Sequence, residues 1–279
     1  MNEPLVSIII PCYNDAHYIY LPIESILNQP YENFEIIIVD DGSTDTKTLQ
    51  ILKQISHPKI SIIHQENKGL PIARNTGIRA ARGEYILPID ADDKITPICL
   101  TRSVEILNSK PDVVMVYGNY RTFGDEERFI TTGKFNTYRI LFLNYFVVCS
   151  MYRRSAWEDV GGYTEGMEGF ADWEFWIKFV EKGWRLEKVK EVLFMYHKHG
   201  KSMVSNSHKN FGRIIAHIQS LHPHLYTKES LKRLKKENKV TWFEDIIYHI
   251  PSPLRHRLGK TPLRSFIYLI NRVGLYRDL

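Results

Sequence analysis

Four short runs of branched apolar residues, separated by segments of helical period, fill the first ninety positions and leave this chain few folds. "LVSIII" runs into Pro11, "FEIIIVD" ends on Asp40, "KISIIHQ" follows, and "EYILPID" ends on Asp90. Runs that are apolar at nearly every position suit strands covered on both faces. Between them, Ile19, Ile23, Ile26 and Leu27 recur at helical spacing, as do Leu49, Leu52 and Ile55 in "STDTKTLQILKQI". Ser43 or Thr44 would cap that second helix, and "LPIARNTGIRAA" reads as a third. The alternation predicts βαβ units with right-handed crossovers: an α/β fold whose mostly parallel central sheet is flanked by helices.

Ligands of open α/β sheets bind beyond the carboxyl ends of the strands. The residues at those ends are Pro11, Cys12, Tyr13 and Asn14, then Asp40 and Asp41, then Asp90, Ala91, Asp92 and Asp93. One acidic cluster at a strand end is commonly a cap or a turn. Three at three strand ends point to a shared site.

Asp90 and Asp92 are two apart, so in extended chain they face one way. Meeting at a turn, the pair suits one hard cation, and Mg²⁺ or Mn²⁺ carrying phosphate oxygens fits such a site. The twelve-residue calcium loop with its terminal Glu is absent, and no Cys or His stands nearby in sequence for zinc. Arg74, His197, Lys198, His199 and Lys201 are the cations available to phosphates. Neither a P-loop nor a dinucleotide fingerprint follows the first strand, which argues against a P-loop NTPase and a dinucleotide dehydrogenase.

The second half differs. "DVVMVYGNYRTF" reads as a strand, and Gly161 and Gly162 mark a turn. In "GFADWEFWIKFVEKGWRL", Trp173, Trp176, Ile177 and Val180 share one helical face, with Asp172 at the start and Gly183 at the stop. A carboxylate at a helix N-terminus has its charged form favoured, so Asp172 is either a general base or a plain cap. Beyond residue 207 the chain turns helical and basic.

Bulk properties exclude little. The 279 residues carry a net charge of +5, which fits work near phosphates or an anionic surface and equally an ordinary basic enzyme. Cys12, Cys99 and Cys149 are too far apart in sequence for a disulfide framework or a metal motif, so a reducing compartment is expected. The N-terminus has no signal-peptide pattern, and "ILFLNYFVVC", interrupted by Asn144, is the longest apolar patch, too short to span a membrane. No basic patch shows the aromatic interleaving of a single-strand nucleic-acid platform.

The order "PCYN" at 11–14, "VDDGSTD" at 39–45, "NKGLPIARNTG" at 67–77, "IDADD" at 89–93, "RRSAWEDVGGY" at 153–163 and "ADWEFWIKFVEKGW" at 171–184 resembles family 2 of the inverting glycosyltransferases. The resemblance covers roughly residues 4–205 and implies a glycosyltransferase-A fold. It implies a catalytic domain at 1–206, with nucleotide-sugar binding at about 1–110 and the acceptor side at about 111–206, followed by a helical basic region at 207–279. It gives Pro11, Tyr13, Asn14 and Asp41 to the nucleoside, with Asp40 supporting the ribose or the loop. Arg74 and Ala91 fall beside the nucleotide. Asp90 and Asp92 match the family's metal-binding pair, Asp93 is a third candidate ligand, and the cofactor is Mn²⁺ or Mg²⁺. Asp172 matches the catalytic base, with Ala171 where the family has Glu. Trp173 and Trp176 would wall the acceptor. His199 resembles the late histidine that closes over the diphosphate and metal, with Ser202, Tyr196 and His197 as neighbours in that task.

The implied reaction inverts the anomeric carbon as a sugar moves from a nucleoside diphosphate, UDP first among them, to a glycan or lipid-linked acceptor in bacterial surface polysaccharide synthesis. The implied location is cytoplasmic, with peripheral contact at the inner membrane face. The tail either lies on that surface, packs back on the catalytic domain, or forms a homodimer. Two other readings stand beside this one: a catalytically impaired carbohydrate-binding relative, and a sugar-phosphate nucleotidyltransferase.

Overall fold

The computed structural model describes residues 3–167, 169–200 and 210–249, leaving aside the side chains at 243, 246, 247 and 249. Ser202, Lys201 and the segment 250–279 lie outside the described residues. Contacts divide the chain into two units. The first comprises Met1–Thr131, Phe146–Gly166 and Lys182–Gly200, and the second Thr132–Tyr145, Met167–Glu181 and Lys201–Leu279.

All the described strands belong to the first unit. Strands β1 (Val6–Cys12), β2 (Phe34–Asp40), β3 (Ile60–His64) and β4 (Tyr85–Pro88) stand in the order β3-β2-β1-β4, every pair parallel. The helices α1 (Tyr20–Leu27), α2 (Thr46–Gln54) and α3 (Leu70–Ala80) alternate with them along the chain, as the apolar periodicity predicts. Beyond β4 the sheet is mixed. β8 (Met151–Arg153) runs antiparallel to β4 and to β6 (Val113–Gly124), while β9 (Arg185–Lys198) is parallel to β6. Two-residue strands β5 (Lys94–Ile95) and β7 (Phe129–Ile130) add antiparallel edges on β9 and β6. Helices α4 (Cys99–Ser109) and α5 (Arg154–Asp159) complete this unit.

The core sits where the uninterrupted apolar runs require it. Ile8, Ile10, Ile36, Ile38, Ile19 and Ile26 are all fully buried. Pro11 ends the β1 run without breaking the ladder. The Ile9 carbonyl accepts from Ile89 on the β4 side, and Pro11, two residues on, faces that same side after the pairing to β4 has stopped at Ile9. α3 lies so close to the sheet that a Cβ at Gly77 would stand 2.5 Å from Cγ2 of Ile9. The cap of α2 is Asp45, whose carboxylate accepts from the Thr48 N–H at 2.7 Å, in place of the expected Ser43 or Thr44. Cys99 and Cys149, distant in sequence, meet in the core, and burial together with that contact pushes the Cys149 thiol up.

In the second unit, α6 (Ala171–Glu181) packs with a turn at Arg139–Leu141 and with α7 (Phe211–Leu221). α8 (Lys228–Glu237) and α9 (Trp242–His249) follow. Among the described residues, no helix is long and apolar enough to cross a membrane.

Candidate active site

The carboxyl ends of β1, β2 and β4 bring the three polar clusters to one edge of the first unit. Asn14 takes a positive φ of 53° and ties the β1 end to the loop after β2. Its side-chain oxygen accepts from the backbone N–H groups of Thr44 at 2.8 Å and Asp45 at 2.9 Å. Asp41 is buried, and its carboxylate accepts from Gln65 Nε2 at 2.6 Å, Lys68 N at 2.9 Å and Gly69 N at 2.8 Å. It holds the loop into α3. Gly42 next to it has φ of 73°, and a Cβ there would meet the Asn67 nitrogen at 2.5 Å. Tyr13, just before Asn14, is exposed. On the other side, Asp40 accepts from Ser43 N at 3.0 Å and pairs with His64 Nδ1 at 2.9 Å. Burial raises its pKa, and the bonds from Ser43 and His64 outweigh that and lower it.

Arg74 on α3 is buried and reaches Asp90, with Nη2 to Oδ1 at 2.7 Å. Its neighbour Asn75 fastens α3 to the loop after α5. Asn75 Oδ1 accepts from Trp157 Nε1 at 3.0 Å and from Tyr163 N at 2.9 Å, and its Nδ2 donates to the Tyr163 carbonyl at 2.8 Å. Ala91 is buried in the turn that Asp93 N closes on the Asp90 carbonyl at 3.2 Å.

The end of β9 lies against this turn. His199 Nε2 stands 2.8 Å from Asp92 Oδ2. The Asp92 carboxylate, His197 and His199 each offer one ligand atom, and these atoms lie within 4.8 Å of one another. Burial and the negative charge of Asp90 push the Asp92 pKa up. Burial and the neighbouring His199 lower that of His197, which favours the neutral imidazole that ligation requires. Nδ1 of His197 is buried without a hydrogen-bond partner. The ring is held by stacking on Phe123 at 4.6 Å and by the edge of Tyr18 at 4.8 Å. One carboxylate and two imidazoles, one with an unsatisfied nitrogen, fit a divalent cation, and imidazole favours Mn²⁺ over Mg²⁺.

Three expectations change here. Asp90, expected as a metal ligand beside Asp92, pairs with Arg74 and stands outside the ligand cluster. Asp93 is fully buried and its Oδ1 accepts the His197 backbone N–H at 2.8 Å, so it positions β9 and stands outside the ligand cluster. His197, expected as a cation for the phosphates and a sharer in the task of His199, enters that cluster as a ligand. The local cluster marks His197 as basic and no more; its role as a ligand is set by partners in a turn about a hundred residues away.

In the second unit, Asp172 occupies the first turn of α6 and accepts from Asn144 Nδ2 at 3.0 Å. Trp173 and Trp176 are both fully buried. Trp173 Nε1 donates to the Ile140 carbonyl and its ring stacks on Phe211 at 6.1 Å, while Trp176 packs edge-on to Phe179 at 5.5 Å. Their shared face is a core face, so the structure assigns them to packing and leaves no ring surface for an acceptor.

Residues 7–161 match the family described as Glycosyl transferase family 2. Chondroitin synthase of Escherichia coli is 30% identical over 250 residues, 86% of this chain but 36% of that protein. Hyaluronan synthase of Pasteurella multocida is 30% identical over 186 residues, 64% of this chain and 19% of that protein. The chain therefore spans about a third or less of these two relatives. Among solved structures, S. aureus TarS in complex with UDP-GlcNAc superposes with a TM-score of 0.66 at 20% identity, covering 86% of this chain and 77% of that one. Mannosyltransferase PcManGT from Pyrobaculum calidifontis, in complex with GDP-Man and Mn²⁺, gives 0.64 at 19% identity, covering 99% and 82%.

Proposed function

The chain belongs to glycosyl transferase family 2, a glycosyltransferase of the glycosyltransferase-A fold, and from that premise we propose that it transfers a sugar with inversion from a nucleoside diphosphate, most simply UDP, to a hydroxyl of a growing glycan or lipid-linked acceptor. The observation that carries this reading is the convergence of Arg74, Asp90, Asp92, His197 and His199 at the strand ends where such folds bind ligands. The solved neighbours carry UDP-GlcNAc or GDP-Man, which supports a nucleotide-sugar donor. The two relatives named as chondroitin and hyaluronan synthases support a polysaccharide product.

Asp92, His197 and His199 would hold the divalent cation, with Asp90 beside them under the hand of Arg74. Bound there, the cation supplies positive charge against the departing diphosphate. Tyr13 and Asn14 frame the nucleoside, and Asp41 shapes the loop 65–69 on which it rests. Asp172 accepts the proton of the attacking hydroxyl, which needs the two oxygens within about 3 Å in the reactive pose. Asn144 aims that carboxylate.

The second unit supports membrane contact. Lys228, Lys232 and Lys236 recur every fourth residue along α8, all exposed, and Trp242 after them is 72% exposed. A lysine row beside an exposed indole suits an anionic lipid surface. The deciding experiment is a thermal-shift screen of UDP-GlcNAc, UDP-glucose and GDP-mannose with Mn²⁺. A true donor raises Tm only with the cation present, and a protein indifferent to every nucleotide sugar defeats the reading.

A further inference from the structure

Glu174, on α6 and two residues past Asp172, is a fully buried carboxylate. Such a group is tolerated only when paired. Its partner is His222, which follows α7 and is 4% exposed. His222 Nε2 stands 3.0 Å from Glu174 Oε1, and its Nδ1 stands 2.6 Å from Glu181 Oε1 at the far end of the same helix. Ionised carboxylates only accept, so against two of them both ring nitrogens donate and the ring is held as an imidazolium. Burial lowers the pKa of His222, and the bonds to Glu174 and Glu181 outweigh that and raise it. The other charged groups facing this cluster are Lys178, with Nζ 3.6 Å from Glu174 Oε2, and His224, with Nε2 3.1 Å from Glu181 Oε1.

We propose that His222 is a positioning residue for the transfer step: clamped between Glu174 and Glu181, it fixes α6 and through it the Asp172 carboxylate, a role that rests on Asp172 being the base. The two attachments of α6 are complementary. Asn144 sets the direction of the carboxylate at the N-terminal turn, and His222 grips the opposite side of the helix over the next two turns. The stacking of Trp173 on Phe211 and the bond from Tyr226 to the Leu141 carbonyl at 3.0 Å join the same segments. Residues 210–226 are thus part of the acceptor-side machinery and no appendage to it. Loss of the second ring proton leaves a lone pair against one carboxylate, and the grip opens.

Hydrogen-exchange mass spectrometry on the full-length protein, from about pH 6 to about pH 9.5 with intrinsic rates divided out, tests the clamp. In the wild type, protection of the peptide 171–181 falls by about tenfold as pH rises through the His222 titration. In His222→Gln the protection is already reduced and does not change over this range. Glu181→Gln, milder because Glu181 is part-exposed, moves in the same direction and serves if His222→Gln does not fold. Release of UDP from UDP-GlcNAc with Mn²⁺ is the second readout, where His222→Gln lowers kcat and leaves the donor KM unchanged. An α6 as protected as wild type in both variants, or an alkaline fall that survives in His222→Gln, overturns the clamp. Asp172→Asn separates the two ideas. Wild-type turnover in that variant removes the base and with it the catalytic meaning of the clamp. A dead Asp172→Asn beside a His222→Gln of wild-type kcat removes the positioning role alone.

Discussion

The guanidinium of Arg74, 4% exposed, lies 2.7 Å from the Asp90 carboxylate, which is 35% exposed. The helix α3 thereby supplies the cation that lets three aspartates share a four-residue turn. Without it, Asp90 and Asp92 repel each other, and Asp92 already binds its proton more tightly than an ordinary carboxylate. Arg74→Ala should destabilise the fold by about 2 kcal/mol, because it strips a charge-assisted hydrogen bond from a carboxylate that keeps some access to water. Urea unfolding reads this directly, and donor titration of the same variant should show weakened affinity.

The proposed cation cluster of Asp92, His197 and His199 predicts an order among cations. His197→Ala and His199→Ala should each weaken Mn²⁺ binding by about tenfold or more, while Mg²⁺, which gains less from imidazole, changes less. Mn²⁺ titration followed by electron paramagnetic resonance checks both variants. Equal affinity of the wild type and the double variant for Mn²⁺ would remove the histidines from the site.

Asp172→Asn keeps the shape of the first turn of α6 and its contact partner Asn144. It should lower transfer by about 10²–10⁴-fold, the usual worth of a general base, and leave the donor Kd nearly unchanged. Isothermal titration with the donor, run beside the transfer assay, separates the two effects.

Asp40 carries an acid-limb prediction. Its folded pKa lies below the ordinary 3.8, so its contribution to stability is present above that value and is lost as pH falls through the lowered one. Denaturant midpoints in this acid range should therefore fall more steeply for the wild type than for Asp40→Asn. His64 reports the same pair, and its ring resonances should shift as Asp40 takes up its proton.

The lysine row of α8 predicts binding to vesicles containing phosphatidylglycerol and none to pure phosphatidylcholine. Replacing Lys228, Lys232 and Lys236 together by Glu should abolish co-sedimentation, since each lysine near such a surface contributes about 1 kcal/mol. A wild type that ignores both vesicle types ends the membrane reading of this face.

The first four strands were legible because their apolar runs are uninterrupted, and the acidic clusters because they stand where those runs stop. The same logic missed β9. Lys188, Lys190 and Glu191 break its apolar pattern, so a fourteen-residue strand left only its basic end visible. The spacing of Trp173 and Trp176 correctly placed one helical face, but spacing cannot say whether a face meets core or substrate, and here it meets core. The grip of His222 on Glu174 and Glu181 spans 48 and 41 residues. No local signal encodes pairings of that reach.

β9 also carries an irregularity with a wider meaning. Its register against β6 slips by one residue between Asn119 and Tyr120, whose partners are Val192 and Phe194. Side chains in a strand alternate sides, so the residues held in that slip decide which way everything downstream looks. The parity of this short stretch thus acts as a selector. With it, the two imidazoles look toward Asp92; a chain shorter by one would bring Lys198 and Gly200 to the places of His197 and His199, with the sheet otherwise intact. Catalytic competence in such a scaffold can be switched by length alone, without exchanging any of the residues that do the chemistry.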